Sequence, residues 1–224
     1  MKEDLPKKRT LWFTIINAFL VVTTIIVTYI TLRFGTVAGQ VDTGTTYGWM
    51  YIITFTVQSN ILLGLVALVN LILSIRSLKL NKPIPRAALV WYLVASSAAM
   101  LTALTVIFFL APIRAIGGRN YFDMLLGPMF FFHFFNPFLS AAAFVYLTPG
   151  IKFARPDCFF ALIPPVAYAA PYILNVIILK NWPDFYHFTF GGHYIAILPV
   201  FIIISSITFG IASLLVKFHN HRAR

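Results

Sequence analysis

Acidic side chains are scarce in this chain. Only six of the 224 residues are Asp or Glu, and these six (Glu3, Asp4, Asp42, Asp123, Asp157 and Asp184) fall in the amino-terminal tail or in the short connections between apolar runs. No carboxylate lies inside a run, which argues against a proton-relay pump, a buried Ser-His-Asp triad and a carboxylate-built metal site. The single cysteine, Cys158, excludes an internal disulfide and a cysteine-rich metal centre. A glycine-rich nucleotide loop, a G-x-S-x-G elbow and metal-ligand spacing are also missing, so no cofactor and no metal are expected. Internal repeats are not evident either, which weakens the case for an inverted-repeat transporter.

Apolar residues dominate instead: 60% of the chain is hydrophobic, 17% is aromatic, and the mean hydropathy is +0.87, outside the balance of a soluble domain. Six apolar stretches, at about 11–34, 49–75, 88–113, 124–147, 158–179 and 193–216, are each long enough to supply the roughly 20 helical residues that cross a hydrocarbon core. Backbone groups in lipid must be satisfied within their own segment, which favours helices. The expectation is an all-α, multi-pass integral membrane protein. It forms a single membrane domain over 1–224, a bundle of six transmembrane helices, and in a bacterium it resides in the cell membrane. The first stretch follows a basic tail and precedes a cleavage-like Val37-Ala38-Gly39, but its apolar run exceeds a signal-peptide h-region of about 7–15 residues. It is read as a mature helix.

The net charge of +11 is explained by topology rather than by nucleic acid. Lys2, Lys7, Lys8, Arg9, Arg76, Lys79, Lys82, Arg86, Lys152, Arg155, Lys217, Arg222 and Arg224 gather on one side of the six expected crossings. Only Arg33, Arg114, Arg119 and Lys180 lie on the other. The excess of Lys and Arg on cytoplasmic loops then puts both termini in the cytoplasm.

Two polar constellations interrupt the apolar runs. In TFTVQSN, residues 54–60, the helical period puts Thr56, Ser59 and Asn60 on one face, continued by Gly64, with Thr54 and Gln58 nearly opposite. In FFFHFFNPF, residues 130–138, His133 shares a stripe with Asn136 and Pro137. Such a histidine commonly makes an interhelical hydrogen bond. It is also the only titratable group, tyrosines aside, expected deep in the bundle, and an intramembrane ionisable group marks a functional site. Both runs enter from the outer side, so Thr56 and His133 should lie within one helical turn of the same height.

A hydroxyl facing an imidazole is the minimum for nucleophilic catalysis, the ring taking the hydroxyl proton and returning it to the leaving group. Asn136, Asn60 or a tyrosine hydroxyl could orient the ring, and Ser59, Asn60, Tyr168 and Tyr172 could donate to an oxyanion. Phe132, Phe134 and Phe135 could wall an acyl tunnel. Pro164, Pro165 and Pro171 should bend their helix. The aromatic residues of 182–194 suit an interfacial belt.

The TFTVQSN run, His133 with Pro137 four residues on, and the six-helix layout resemble the androgen-induced-gene family, including androgen-dependent TFPI-regulating protein. Its members are integral-membrane threonine hydrolases that cleave fatty acid esters of hydroxy fatty acids with a Thr and a His on separate helices. The resemblance implies Thr56 as nucleophile, with Thr54 as the competing candidate, His133 as its partner, and a lipid substrate drawn from the bilayer. The chain differs from the family where Met129 and Phe130 replace an Asn-His pair, and in the order of Trp182, Pro183, Tyr186 and Phe188, which implies a shifted substrate range. The alternative reading is a small-solute membrane carrier or substrate-binding membrane subunit, with the amides and His133 coordinating a polar solute.

Overall fold

The computed structural model describes residues 4–34, 48–149 and 151–222. Lys2, Glu3, the Val37-Ala38-Gly39 site, Asp42 and Arg224 lie outside the described residues. Every element among the described residues is helical. The rods are α1 (Asp4–Phe34), α2 (Phe55–Leu80), α3 (Arg86–Ile116), α4 (Phe131–Leu147), α5 (Arg155–Ile178) and α6 (Tyr194–Arg222). Five of them are long and apolar enough to cross a membrane, which makes this a multi-pass membrane protein.

The rod α4 is shorter than the stretch expected at 124–147. It has 17 residues, and at 1.5 Å per residue reaches only about 26 Å against a core of about 30 Å. Its chain breaks at Gly127, whose φ of +60° a β-carbon would disfavour, followed directly by Pro128. The preceding 3₁₀ turn, Tyr121–Leu125, folds back against the start of α4.

Sequence chemistry explains the other boundaries. Thr54 caps α2, its hydroxyl accepting from the Val57 amide. The helix closes on Asn81 in the left-handed conformation (φ +53°), and Pro83 and Pro85 prevent its continuation into α3.

The helix α3 is the axis of the bundle and packs on α2, α4, α5 and α6. Its small residues Ala95, Ser96, Ser97, Ala98 and Ala99 are buried, allowing neighbouring backbones to approach closely. The closest approach documented for a glycine joins α1 to α2, where a β-carbon on Gly64 would sit 2.6 Å from Thr24 Cγ2. Polar ties reinforce this packing: Thr14 to Ser74 (2.9 Å), Ser59 to Thr102 (2.9 Å) and Asn70 to the Ala88 carbonyl (3.2 Å). Each such bond contributes on the order of 1 kcal/mol in a membrane bundle.

Three helices widen locally into π-turns: Val106–Leu110 in α3, Phe131–Phe135 in α4 and Leu174–Ile178 in α5. Two have a visible cause. Proline lacks an amide hydrogen and its ring presses on the carbonyl four residues earlier. Pro112 and Pro137 press on Phe108 and His133, which lie inside those two π-turns.

At the end rich in Lys and Arg, Arg86 pairs with Asp157 at 2.6 Å. His219 is not a free tail residue. It is buried, with one ring nitrogen 3.2 Å from the Phe144 carbonyl and the other 2.8 Å from that of Ile151.

Candidate active site

The buried face expected for the start of α2 is present. Thr56, Ser59, Asn60 and Gly64 are buried, whereas Gln58 is exposed and donates to the Ile52 carbonyl. The threonine at position 54 is committed to the cap: its hydroxyl donates to the Tyr51 carbonyl (2.7 Å) while accepting from Val57 N. Thr56, in the first turn, holds its hydroxyl beside that of Tyr186.

On α4, His133 is 2% exposed. Its Nδ1 meets the main-chain carbonyl of Met124. A carbonyl can only accept, so Nδ1 carries the proton and Nε2 of the neutral ring keeps a lone pair. The ring is therefore oriented by a backbone carbonyl from the folded-back 3₁₀ turn. Neither Asn60, Asn136 nor a tyrosine performs that task.

Thr56 and His133 border one cavity of ≈ 350 Å³, together with Tyr51, Thr54, Arg114, Asp184, Tyr186 and His187. Among the described residues no hydrogen bond joins the threonine to the histidine, so the two share a chamber without being directly bonded. Thr56, Leu110 and Tyr186 also border a second, far narrower apolar slot of ≈ 30 Å³ that runs between Leu101, Pro165, Tyr168, Phe188 and Phe201. Thr56 thus borders both spaces.

The residues expected to assist are placed elsewhere. Ser59 bonds Thr102 of α3, and Asn60 donates to the Phe132 carbonyl (3.2 Å), one of the carbonyls of the π-turn that carries His133. Asn136 accepts from Thr23 of α1 (3.1 Å). Tyr168 donates to the Ile53 carbonyl (2.9 Å) and borders only the slot. Tyr172 donates to Asp184. None of these five borders the larger chamber. The phenylalanines named as tunnel walls border neither space. Phe132 packs on Val27, Tyr51 and Val57, and Phe134 and Phe135 face outward.

The connection between α5 and α6 is the part least like its expectation. Tyr186 and Phe188 are buried and do not lie in an interfacial belt. They stack on one another at 5.1 Å and pack on Tyr172. Asp184 organises this fold-back. Its two oxygens accept from the Tyr172 hydroxyl, the amides of Phe188 (3.0 Å) and Thr189 (2.9 Å), and the Thr189 hydroxyl (2.7 Å). Burial acts to raise the Asp184 pKa, and these donors outweigh it, so the carboxyl is held below its usual range.

Tyr186 accepts from the Phe55 amide at 2.8 Å. Burial pushes its phenol up, against the opposing effect of the Phe55 and Thr56 groups that donate to it. The phenol is a proton donor at neutral pH, and its hydroxyl lies beside those of Thr56 and Tyr168.

Neither Tyr186 nor Asp184 was singled out for the site by periodicity, because both sit in a connection. The Pro183-Asp184 pair, a turn-forming dipeptide beside three aromatics, was the available signal. Among the described residues no three His, Cys, Asp or Glu side chains come together as a metal site. Comparison of the chain with protein-family models, characterised proteins and solved structures gives no match.

Proposed function

We propose that the protein is an intramembrane hydrolase of lipid esters, with Thr56 as nucleophile and His133 as general base. Fatty acid esters of hydroxy fatty acids are the substrate class that the resemblance of TFTVQSN and FFFHFFNPF implies. The observation that carries the reading is the shared chamber: a threonine hydroxyl and an imidazole with its Nε2 lone pair available border the same space.

With an ester seated between them, Thr56 Oγ attacks the carbonyl carbon and its proton passes to His133 Nε2. The tetrahedral oxyanion takes a hydrogen bond from the Tyr186 phenol. Collapse breaks the ester C–O bond, and the imidazolium returns the proton to the departing alkoxide, releasing the hydroxy acid. Water then attacks the acyl-threonine, losing a proton to His133. The fatty acid leaves as the proton returns to Thr56 Oγ. No cofactor enters either half-reaction. The substrate reaches the chamber from the bilayer.

The topology proposed with this reading has six crossings, α4 being the short one, with both termini in the cytoplasm and the chamber in the outer half of the membrane. Reporters fused to either end should report the cytoplasmic side; an outward reading at either end would invert the arrangement.

A fluorophosphonate probe tests the nucleophile. It should label the protein at residue 56, retain labelling in Thr56→Ser and lose it in Thr56→Ala. Solute binding without any labelling would favour the carrier reading instead.

A further inference from the structure

The chamber holds a cation for which the described residues supply no counter-ion. Arg114 lies near the outer end of α3 and borders the same cavity as Thr56 and His133. Its Nη1 is buried and has no hydrogen-bond partner. Leaving a charged donor unsatisfied costs about 1–3 kcal/mol or more, so such a nitrogen is normally matched.

The nearest carboxylate by location does not match it. Asp184 borders the same chamber, yet both its oxygens are occupied by the four donors of its own loop. The one ion pair found among the described residues, Arg86 with Asp157, involves neither group. Tyr51, also on the chamber wall, is close enough to Arg114 to interact with its charge and offers a phenol beside the guanidinium.

We infer that Arg114 binds the free carboxylate of an amphiphilic lipid acid, and that it thereby selects acid-ended esters over neutral ones. This rests on the hydrolase reading for its consequence in turnover, though not for the binding itself. The planar guanidinium presents paired N–H donors matched to a carboxylate. With Asp184 satisfied by the donors of its own loop, the single guanidinium is left to balance one negative charge, which suits a carboxylate better than a doubly charged phosphate monoester. Apolar side chains on the wall of the same chamber, Leu110, Ile113, Met124, Met129 and Phe185, supply the other half of an amphiphile's requirements. A lipid held by its acid end at Arg114 would place an ester further along its chain near Thr56. Arg114 is a specificity-determining residue in this arrangement, since it binds a group remote from the reacting bond.

Two measurements in nonionic detergent micelles test the inference. The first is calorimetric titration with palmitate, which requires no turnover. The wild-type chain should bind it, Arg114→Gln should weaken binding by about 10- to 100-fold, the range of one charged hydrogen bond, and Arg114→Lys should fall between. No palmitate binding by the wild type, or equal binding by a folded Arg114→Gln, would overturn the assignment. Binding of lysophosphatidate in place of palmitate, with the same dependence on Arg114, would overturn the choice of carboxylate.

The second compares kcat/KM for a hydroxy fatty acid ester with a free carboxylate and for its methyl ester. The wild type should prefer the free acid, and Arg114→Gln should bring the ratio of the two close to one. A merely structural role would depress both substrates together and leave the ratio intact. Should neither ester turn over while palmitate still binds through Arg114, the hydrolase reading fails and the carboxylate site stands.

Discussion

Replacing His133 by asparagine separates the imidazole's two roles. Nδ1 ties the 3₁₀ turn to α4 through the Met124 carbonyl, and Nε2 is the base in the reaction proposed above. Alanine would remove both. It would also leave a buried carbonyl unsatisfied at a cost of about 1–3 kcal/mol, confusing loss of chemistry with loss of structure. An asparagine amide can occupy the Nδ1 position and donate to Met124, but has nothing at the Nε2 position. Stability should therefore change by no more than about 1 kcal/mol, the difference between two hydrogen bonds of similar kind. General-base catalysis contributes about 100- to 10,000-fold, so kcat should fall by that factor, equivalent to roughly 3–5 kcal/mol of transition-state stabilisation. The assay is release of hydroxy fatty acid from its ester in detergent micelles, with a melting curve on the same sample. Thr56→Ala should give a similar loss, and the double variant should lose little more, because nucleophile and base act as one unit. Turnover by His133→Asn within about tenfold of wild type, with an unchanged melting curve, would show that the imidazole is not the base.

Two further outcomes test the scaffold. Gly64→Ala should destabilise the bundle by about 1–3 kcal/mol, because its β-carbon would meet Thr24 Cγ2 at 2.6 Å and Cβ at 2.8 Å; a β-branched residue in a helix has little rotamer freedom to yield. Thr24→Ala should recover only part of that loss, since its β-carbon remains, and an unchanged melting temperature in Gly64→Ala would contradict the close approach. Asp184 has its folded pKa lowered, so its contribution is fully present above the usual carboxylate range and is lost as the pH falls through the lower folded value. Trp182 fluorescence should report an acid-induced opening of the α5–α6 connection that Asp184→Asn, already loosened at neutral pH, does not show; superimposable acid profiles would refute the role given to Asp184.

Much of this molecule is legible in one dimension because a bilayer imposes its own grammar. An apolar run must satisfy its backbone internally, so length and composition specify the helices. The 3.6-residue period alone grouped Thr56, Ser59, Asn60 and Gly64 on one face, and that face is buried; it did not separate the opposite pair, of which Thr54 is buried and Gln58 exposed. Pro137, read together with the rule that proline disturbs the carbonyl four residues back, even marks His133 as the place where α4 widens. The length of α4 was misjudged because hydropathy averages over Gly127-Pro128 and does not register a chain reversal.

The chamber's chemistry was decided only in three dimensions. Ser59, Asn60 and Asn136 have residue types suited to an active site, yet helix packing turns each towards a neighbouring rod. The histidine's orienting partner is a backbone carbonyl, which no side-chain pattern can announce. Arg114, Asp184 and Tyr186 come from a helix end and a connection, separated from Thr56 by 58 residues or more along the chain. Sequence fixes local conformation through short-range sterics and period, but which distant groups share a cavity depends on how the rods pack and on a loop folding back through Asp184. Those contacts have no period to read.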